Sequence, residues 1–120
     1  MSPKEFRDTV VIPNFDDFVD DQTSLRKAFN AYISATHLCY HLWRFESPSG
    51  GVDALNALRE KIGNDCQEFW TVHEITNGIR ELGKLPNGKV HIKSSFNGIQ
   101  PDAMWFIKKL VEYWKGQDLK

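Results

Sequence analysis

The chain has 120 residues, 41% hydrophobic and 26% charged, a composition that fits a folded globular protein and excludes a disordered or fibrous one. Fifteen Lys and Arg against 16 Asp and Glu leave a net charge of −1, which argues against a generic DNA-coating protein. A chain of this size buries roughly two-thirds of its unfolded surface, so one domain over residues 1–120 with one core is expected.

The first eight residues include Lys4, Glu5, Arg7 and Asp8, and the apolar run from Val10 to Ile12 stops at Pro13. No secretory signal is expected from such a start, and no segment approaches the ~18 apolar residues of a membrane span. Cys39 and Cys66 form no C-x-x-C pair and read as reduced, buried thiols of a cytoplasmic protein. Charge is divided unevenly, net −5 over residues 1–79 and net +4 over residues 80–120. Asp16, Asp17, Asp20 and Asp21 precede the first long helix, where its dipole favours negative charge.

Residues 1–13 read as an irregular or extended arm, followed by a short apolar turn with Phe15, Phe18 and Val19. Thr23 or Ser24 then caps a helix running to about Phe45. Leu25, Phe29, Tyr32, Thr36, Cys39 and Trp43 recur at alternating steps of four and three, widened by Ala28, Ala35 and Leu42 into a core face. The run Ser47-Pro48-Ser49-Gly50-Gly51 is a loop. A shorter helix is expected from about Val52 to Ile62, with Gly63 as its stop. The next begins at Asn64 or Asp65, with Asp65 and Glu68 as a capping box, and runs to about Leu82. Its inward face is Phe69, Val72, Thr76, Ile79 and Leu82, and Gly78 is expected to admit a close neighbour.

Pro86-Asn87-Gly88 and Asn97-Gly98 bracket Val90-His91-Ile92-Lys93, which predicts one short strand or a small irregular hairpin. Pro101-Asp102 opens a last helix to about Lys115, with Gly116 as its stop and Met104, Ile107, Val111 and Trp114 on one face. The expected fold class is therefore all-α, an antiparallel four-helix bundle with a short irregular or β excursion before the last helix. Four Trp and eight Phe are generous for this length and leave aromatic surface for a subunit contact.

Three groups of side chains could carry function. On the first long helix, Arg26, Asn30, His37, His41 and Arg44 fall within one ~60° sector. His37 and His41 are four residues apart and could share a metal or, with Arg44, hold an anion. A zinc site needs three or four ligands, however, and none of the other His, Cys or Glu residues has a recognised spacing. This is also what a solvated helix face carries. On the third helix, Cys66, His73, Asn77 and Arg80 share an edge. Seven residues of helix rise about 10.5 Å, which excludes a direct Cys66–His73 couple within it. A buried His73–Asn77 hydrogen bond that pins helix packing is the better reading. Lys84, Lys89, His91, Lys93 and Phe96, with Lys108 and Lys109, could track a phosphate backbone, but lysines also protect an exposed strand edge from aggregation. Phosphate-loop, dinucleotide, hydrolase-elbow and H-E-x-x-H motifs are absent, and no cofactor or metal is expected.

The order Phe15-x-x-Phe18, Leu25 to Ala31, His37-Leu38 and Trp43 resembles that of a group of small bacterial proteins. Cys66-Gln67-Glu68-Phe69 followed by His73-Glu74-Ile75-Thr76-Asn77-Gly78-Ile79-Arg80 is similar to that group's Cys, then Asp-Ile-Ala-Asn-Gly-x-Lys-His, helix. The closing Val111-Glu112-Tyr113-Trp114 resembles their final Phe-Trp segment. These proteins look like relatives of the HEPN superfamily, helical bundles that are usually dimeric and often lie near defence, toxin–antitoxin and prophage genes. Active HEPN ribonucleases carry an Arg, four to six residues, then a His. No Arg and His have that spacing here, and the histidine of the related group's Lys-His falls on Glu81.

The resulting expectation is a non-catalytic binding or interaction module, a homodimer or the partner of another protein, with RNA possible but not favoured and no membrane. The binding residues would be Arg26, Asn30, His37, His41, Arg44, His73, Asn77 and Arg80. The alternative is a defence-type ribonuclease or a nucleotide- or RNA-binding enzyme using the polar face of the first long helix.

Overall fold

The computed structural model describes residues 1–93 and 100–120. Helix dominates, and the strands form one small two-stranded antiparallel sheet. The chain opens with α1 (Pro3–Phe6), a π-helical segment (Arg7–Val11) and α2 (Ile12–Asp20), which run on as one helical arm. The arm expected to be irregular or extended is thus helical. Ser2 Oγ accepts the Glu5 N–H at 3.1 Å, and Pro3 sits in the first helical turn, where its missing N–H costs nothing. Pro13 cannot donate to the carbonyl four residues back, and its ring crowds that carbonyl. The backbone widens just before it, with the Ile12 N–H bonding to Arg7 five residues back.

Helix α3 (Leu25–Glu46) is the central element and touches every other helix. Ser24 Oγ caps it by accepting the Lys27 N–H at 3.1 Å, as the sequence predicts. Its buried face is Ala28, Ala31, Tyr32, Ala35, Thr36, Leu38, Cys39 and Leu42. Trp43 is only partly buried, while Leu25 and Phe29 are 40% and 41% exposed, so the expected stripe leaves the core at its N-terminal end.

Helix α4 (Val52–Asp65) runs three residues past its expected end. Gly63 does not stop it. That glycine is buried inside the helix, where a Cβ would lie 2.1 Å from the Trp70 indole nitrogen. Helix α5 (Glu68–Thr76) follows after a two-residue break. Asp65 does not cap α5 but accepts a hydrogen bond from the Tyr113 hydroxyl at 3.2 Å.

Helix α5 also ends earlier than expected. The Ile79 N–H reaches the Glu74 carbonyl (2.9 Å) and the Gly78 N–H reaches Ile75 (3.2 Å), with Gly78 at φ +76°. This pair of bonds is a Schellman close, which needs a left-handed residue where Gly78 stands. The close neighbour expected at Gly78 is absent, since a Cβ there would meet nothing within 4 Å. Gly78→Ala should therefore cost about 1–2 kcal/mol from backbone strain alone. Gly78→Leu should cost no more than alanine, and urea unfolding of both variants checks this.

Leu82, expected at the helix end, begins β1 (Leu82–Lys84), which pairs with β2 (Val90–Ile92) in the register Leu82↔Ile92, Gly83↔His91 and Lys84↔Val90. The predicted strand is present, and its partner begins at Leu82, where the third helix is expected to end. Gly88, at φ +86°, closes the turn through its N–H to Leu85 at 2.8 Å. The Asn97-Gly98 turn signal lies outside the described residues.

Helix α6 (Ala103–Lys115) starts where expected, with Asp102 accepting the Met104 N–H at 3.0 Å, and stops at Gly116. It buries Ala103, Ile107, Leu110, Val111 and Trp114 against α3 and α5. Polar tethers cross this core. Tyr32 Oη donates to the Ala103 carbonyl (2.6 Å), and the Trp114 indole N–H donates to Ala35 (2.9 Å). The Thr36 and Thr76 hydroxyls lie 3.0 Å apart. Each fully buried large side chain contributes about 1.5–3 kcal/mol of apolar burial, and the tethers fix which helix faces meet. Among the described residues, no helix is long and apolar enough to cross a membrane.

Candidate functional site

Arg26 and Arg44 stand 18 positions apart on α3, a rise of about 27 Å, so the polar sector of that helix cannot form one site. The structure divides it into two. Arg26 lies at the N-terminal end of α3, beside a groove of about 450 Å³ between α3, the end of α5 and β1. Leu25, Phe29, Ile75 and Leu82 supply its apolar walls, and Arg26, Arg80 and Glu81 supply its charge. Asn30 is exposed on the neighbouring turn and does not line the groove. Arg80 forms an ion pair with Glu74, whose carbonyl also receives the N–H groups that close α5, so the helix end and the groove wall are one unit. Ile79, between two groove residues, is 71% exposed.

Sequence reasoning missed this groove because Leu25 and Phe29 belong to the periodic stripe and were assigned to the core. The available signal was Asn77-Gly78, which ends α5 beside Leu25 and Phe29.

His37, His41 and Arg44 lie further along α3, where they line a second depression of about 370 Å³ with Tyr40 and Trp43. Phe6 stacks on His41, with ring centroids 4.1 Å apart and planes at 21°, which ties the N-terminal arm to this face. Tyr40 accepts a hydrogen bond from Arg59 Nη2 of α4 at 2.6 Å and meets His37 edge-on at 5.9 Å. Arg59 and Tyr40 were not anticipated, and nothing in their spacing marks them.

His73 and Asn77 do meet, as expected, the Asn77 amide donating to the imidazole 3.0 Å from Nε2. Their contact is not buried, however. Asn77 is exposed, His73 is half-buried between Phe69 and Trp70, and the pair closes the end of α5 rather than pinning one helix to another. Cys66 is buried at the other end of α5, away from this pair. His91, expected on a basic surface, is only 5% exposed, and Phe96 lies outside the described residues. Lys93 pairs with Glu81, and Lys109 lies over the Trp105 ring at 4.5 Å.

The chain matches no protein-family model, no curated protein and no solved structure. Its functional reading therefore rests on its own chemistry.

Both thiols are free and buried, and desolvation pushes Cys39 up to about 11 and Cys66 upward as well. Neither is the thiolate that nucleophilic chemistry needs at neutral pH. Among the described residues, no three His, Cys, Asp or Glu side chains are grouped to hold a metal ion.

Burial holds His41 below the ordinary histidine range, reinforced by the positive charge of the Met1 ammonium and then of His37 and Arg44, while a hydrogen bond to the Met1 backbone works the other way. Burial does the same to His73, with Arg59 adding to it. A histidine whose folded pKa is depressed is kept neutral by the fold, whereas the unfolded chain binds the proton more readily. Stability is then complete above the ordinary histidine range and falls as pH drops through that range toward the folded pKa values. The melting temperature should decline between about pH 7.5 and 5.5, and less so in His41→Phe, which keeps the stack on Phe6.

Proposed function

We propose that this chain is a non-catalytic interaction module of the bacterial cytoplasm that pairs as a homodimer through the groove beside α5. In this reading α3, α4, α5 and α6 form a HEPN-like antiparallel four-helix bundle, to which the N-terminal arm and the hairpin are additions. The HEPN relationship rests on the run from Cys66 to Arg80, and a defence- or prophage-associated setting follows from that resemblance.

One observation carries the reading. Leu25 and Phe29 continue the buried face of α3 yet are 40% and 41% exposed, on the wall of an apolar groove. An uncovered continuation of a core face is what a partner surface presents, because covering it yields the same burial free energy as folding does. The absence of chemistry is supported by two buried thiols held protonated and by the missing Arg–His spacing. The polar residues at the groove, Arg26 and Arg80, are suited to the rim of such a contact.

Native mass spectrometry of the wild type and Phe29→Asp tests the proposal. The wild type should appear as a dimer, and the variant, altered at an exposed position, as a folded monomer. A monomeric wild type, or a variant that still dimerises, would overturn it.

A further inference from the structure

The second depression on α3 is not used by the groove. His37, His41 and Arg44 stand on successive turns, so their side chains share one strip of surface about 10 Å long. Among the described residues Arg44 makes no ion pair, and no carboxylate is among the charges that act on His41. Cations gathered without counter-charge repel one another, and beside the larger effect of burial the Met1 ammonium, His37 and Arg44, in that order, hold the His41 pKa down.

The rest of the depression is aromatic. Tyr40 and Trp43 line it, and the indole nitrogen of Trp43 is buried with no acceptor among the described residues. The strip is also held in place, since Phe6 stacks on His41 and Arg59 holds the Tyr40 hydroxyl at 2.6 Å. Fixed donors cost less entropy to engage than mobile ones.

We infer that this depression binds a phosphate monoester, with Arg44 and His41 taking the phosphate and Tyr40 and Trp43 receiving the flat group that carries it. A guanidinium presents paired N–H donors matched to phosphate oxygens, and a protonated imidazole adds a charge-assisted donor beside it. The phosphate replaces mutual repulsion among the cations with attraction to a common anion, so binding and protonation of His41 favour each other. The volume of about 370 Å³ is at the small end of ligand sites, sufficient for one mononucleotide-sized molecule.

The test is NMR titration of the histidine ring signals of the full chain in sodium phosphate and in sodium chloride at matched ionic strength, then with adenosine monophosphate and with adenosine. Phosphate and the monophosphate should each raise the His41 midpoint by about half a pH unit or more, and adenosine should not. A tighter response to the monophosphate assigns the site to a phosphate on a ring, and an equal response assigns it to free phosphate. Arg44→Gln, at an exposed position, should reduce the shift to a small fraction. Identical midpoints in phosphate and chloride would overturn the inference, as would a shift that Arg44→Gln leaves intact. The groove and its dimer are tested by mass, so the two readings fail separately.

Discussion

Replacing Trp114 by alanine is expected to remove about 3–5 kcal/mol of folding stability, read as a lowered urea midpoint at an unchanged slope. Trp114 is 1% exposed and the largest side chain in the core, set between α3 and its own helix. Alanine leaves a cavity that rigid helix backbones close only in part, and it deletes the indole hydrogen bond to Ala35 at 2.9 Å. Domains of this size hold a margin of about 5–15 kcal/mol, so about a fifth of the total or more would go at once. Trp114→Phe keeps most of the volume and should cost about 1–2 kcal/mol, largely the lost hydrogen bond. An alanine variant within about 1 kcal/mol of the wild type would mean that α6 does not pack as described.

Arg7→Ala should cost about 2 kcal/mol. One guanidinium nitrogen, Nη1, donates to the Trp114 carbonyl (3.0 Å) and the Gln117 carbonyl (2.8 Å), while Nε pairs with Asp8. Arg7 therefore caps the C-terminal end of α6 from the N-terminal arm, joining the two ends of the chain. Positive charge at that end is also favoured by the helix dipole. Its side chain is only 11% exposed, which reduces the solvent screening that weakens most surface arginines. Lysine, a point charge without the guanidinium fork, should restore less than half of the loss. Hydrogen exchange should show the arm opening first in the alanine variant, while the protection of α3 changes little.

The sequence makes α3 and α6 legible because each combines a side-chain cap, Ser24 or Asp102, with an apolar face that persists to the helix end. The N-terminal arm reads as irregular or extended because Pro13 interrupts its apolar run. Ser2 in fact caps a first turn that holds proline in its favoured place, and the π-helical segment accommodates Pro13. The end of α5 was misread for a different reason. Ile79 and Leu82 preserve a helical spacing after the helix has closed at Gly78, because one side chain of a short strand happens to point inward at that interval.

The candidate residues fared in a similar way. Their assignment to one face of α3 is right, but angle alone carries no information about distance along the axis, and that distance separates Arg26 from His37, His41 and Arg44. Arg59 of α4 holds Tyr40 at the second depression through a contact between two helices, which no local pattern encodes. Leu25 and Phe29 illustrate the converse limit. Periodicity shows which face is apolar but not how far along the helix a neighbour covers it.

Hydrogen exchange of the wild type at low and high protein concentration tests the central claim most directly, because it locates the contact as well as detecting it. The dimer predicts that protection rises with concentration in the segments from Leu25 to Phe29 and from Ile75 to Leu82, and that the rise disappears in Phe29→Asp. Protection that stays constant across the concentration range, or that rises only on another face, would contradict it.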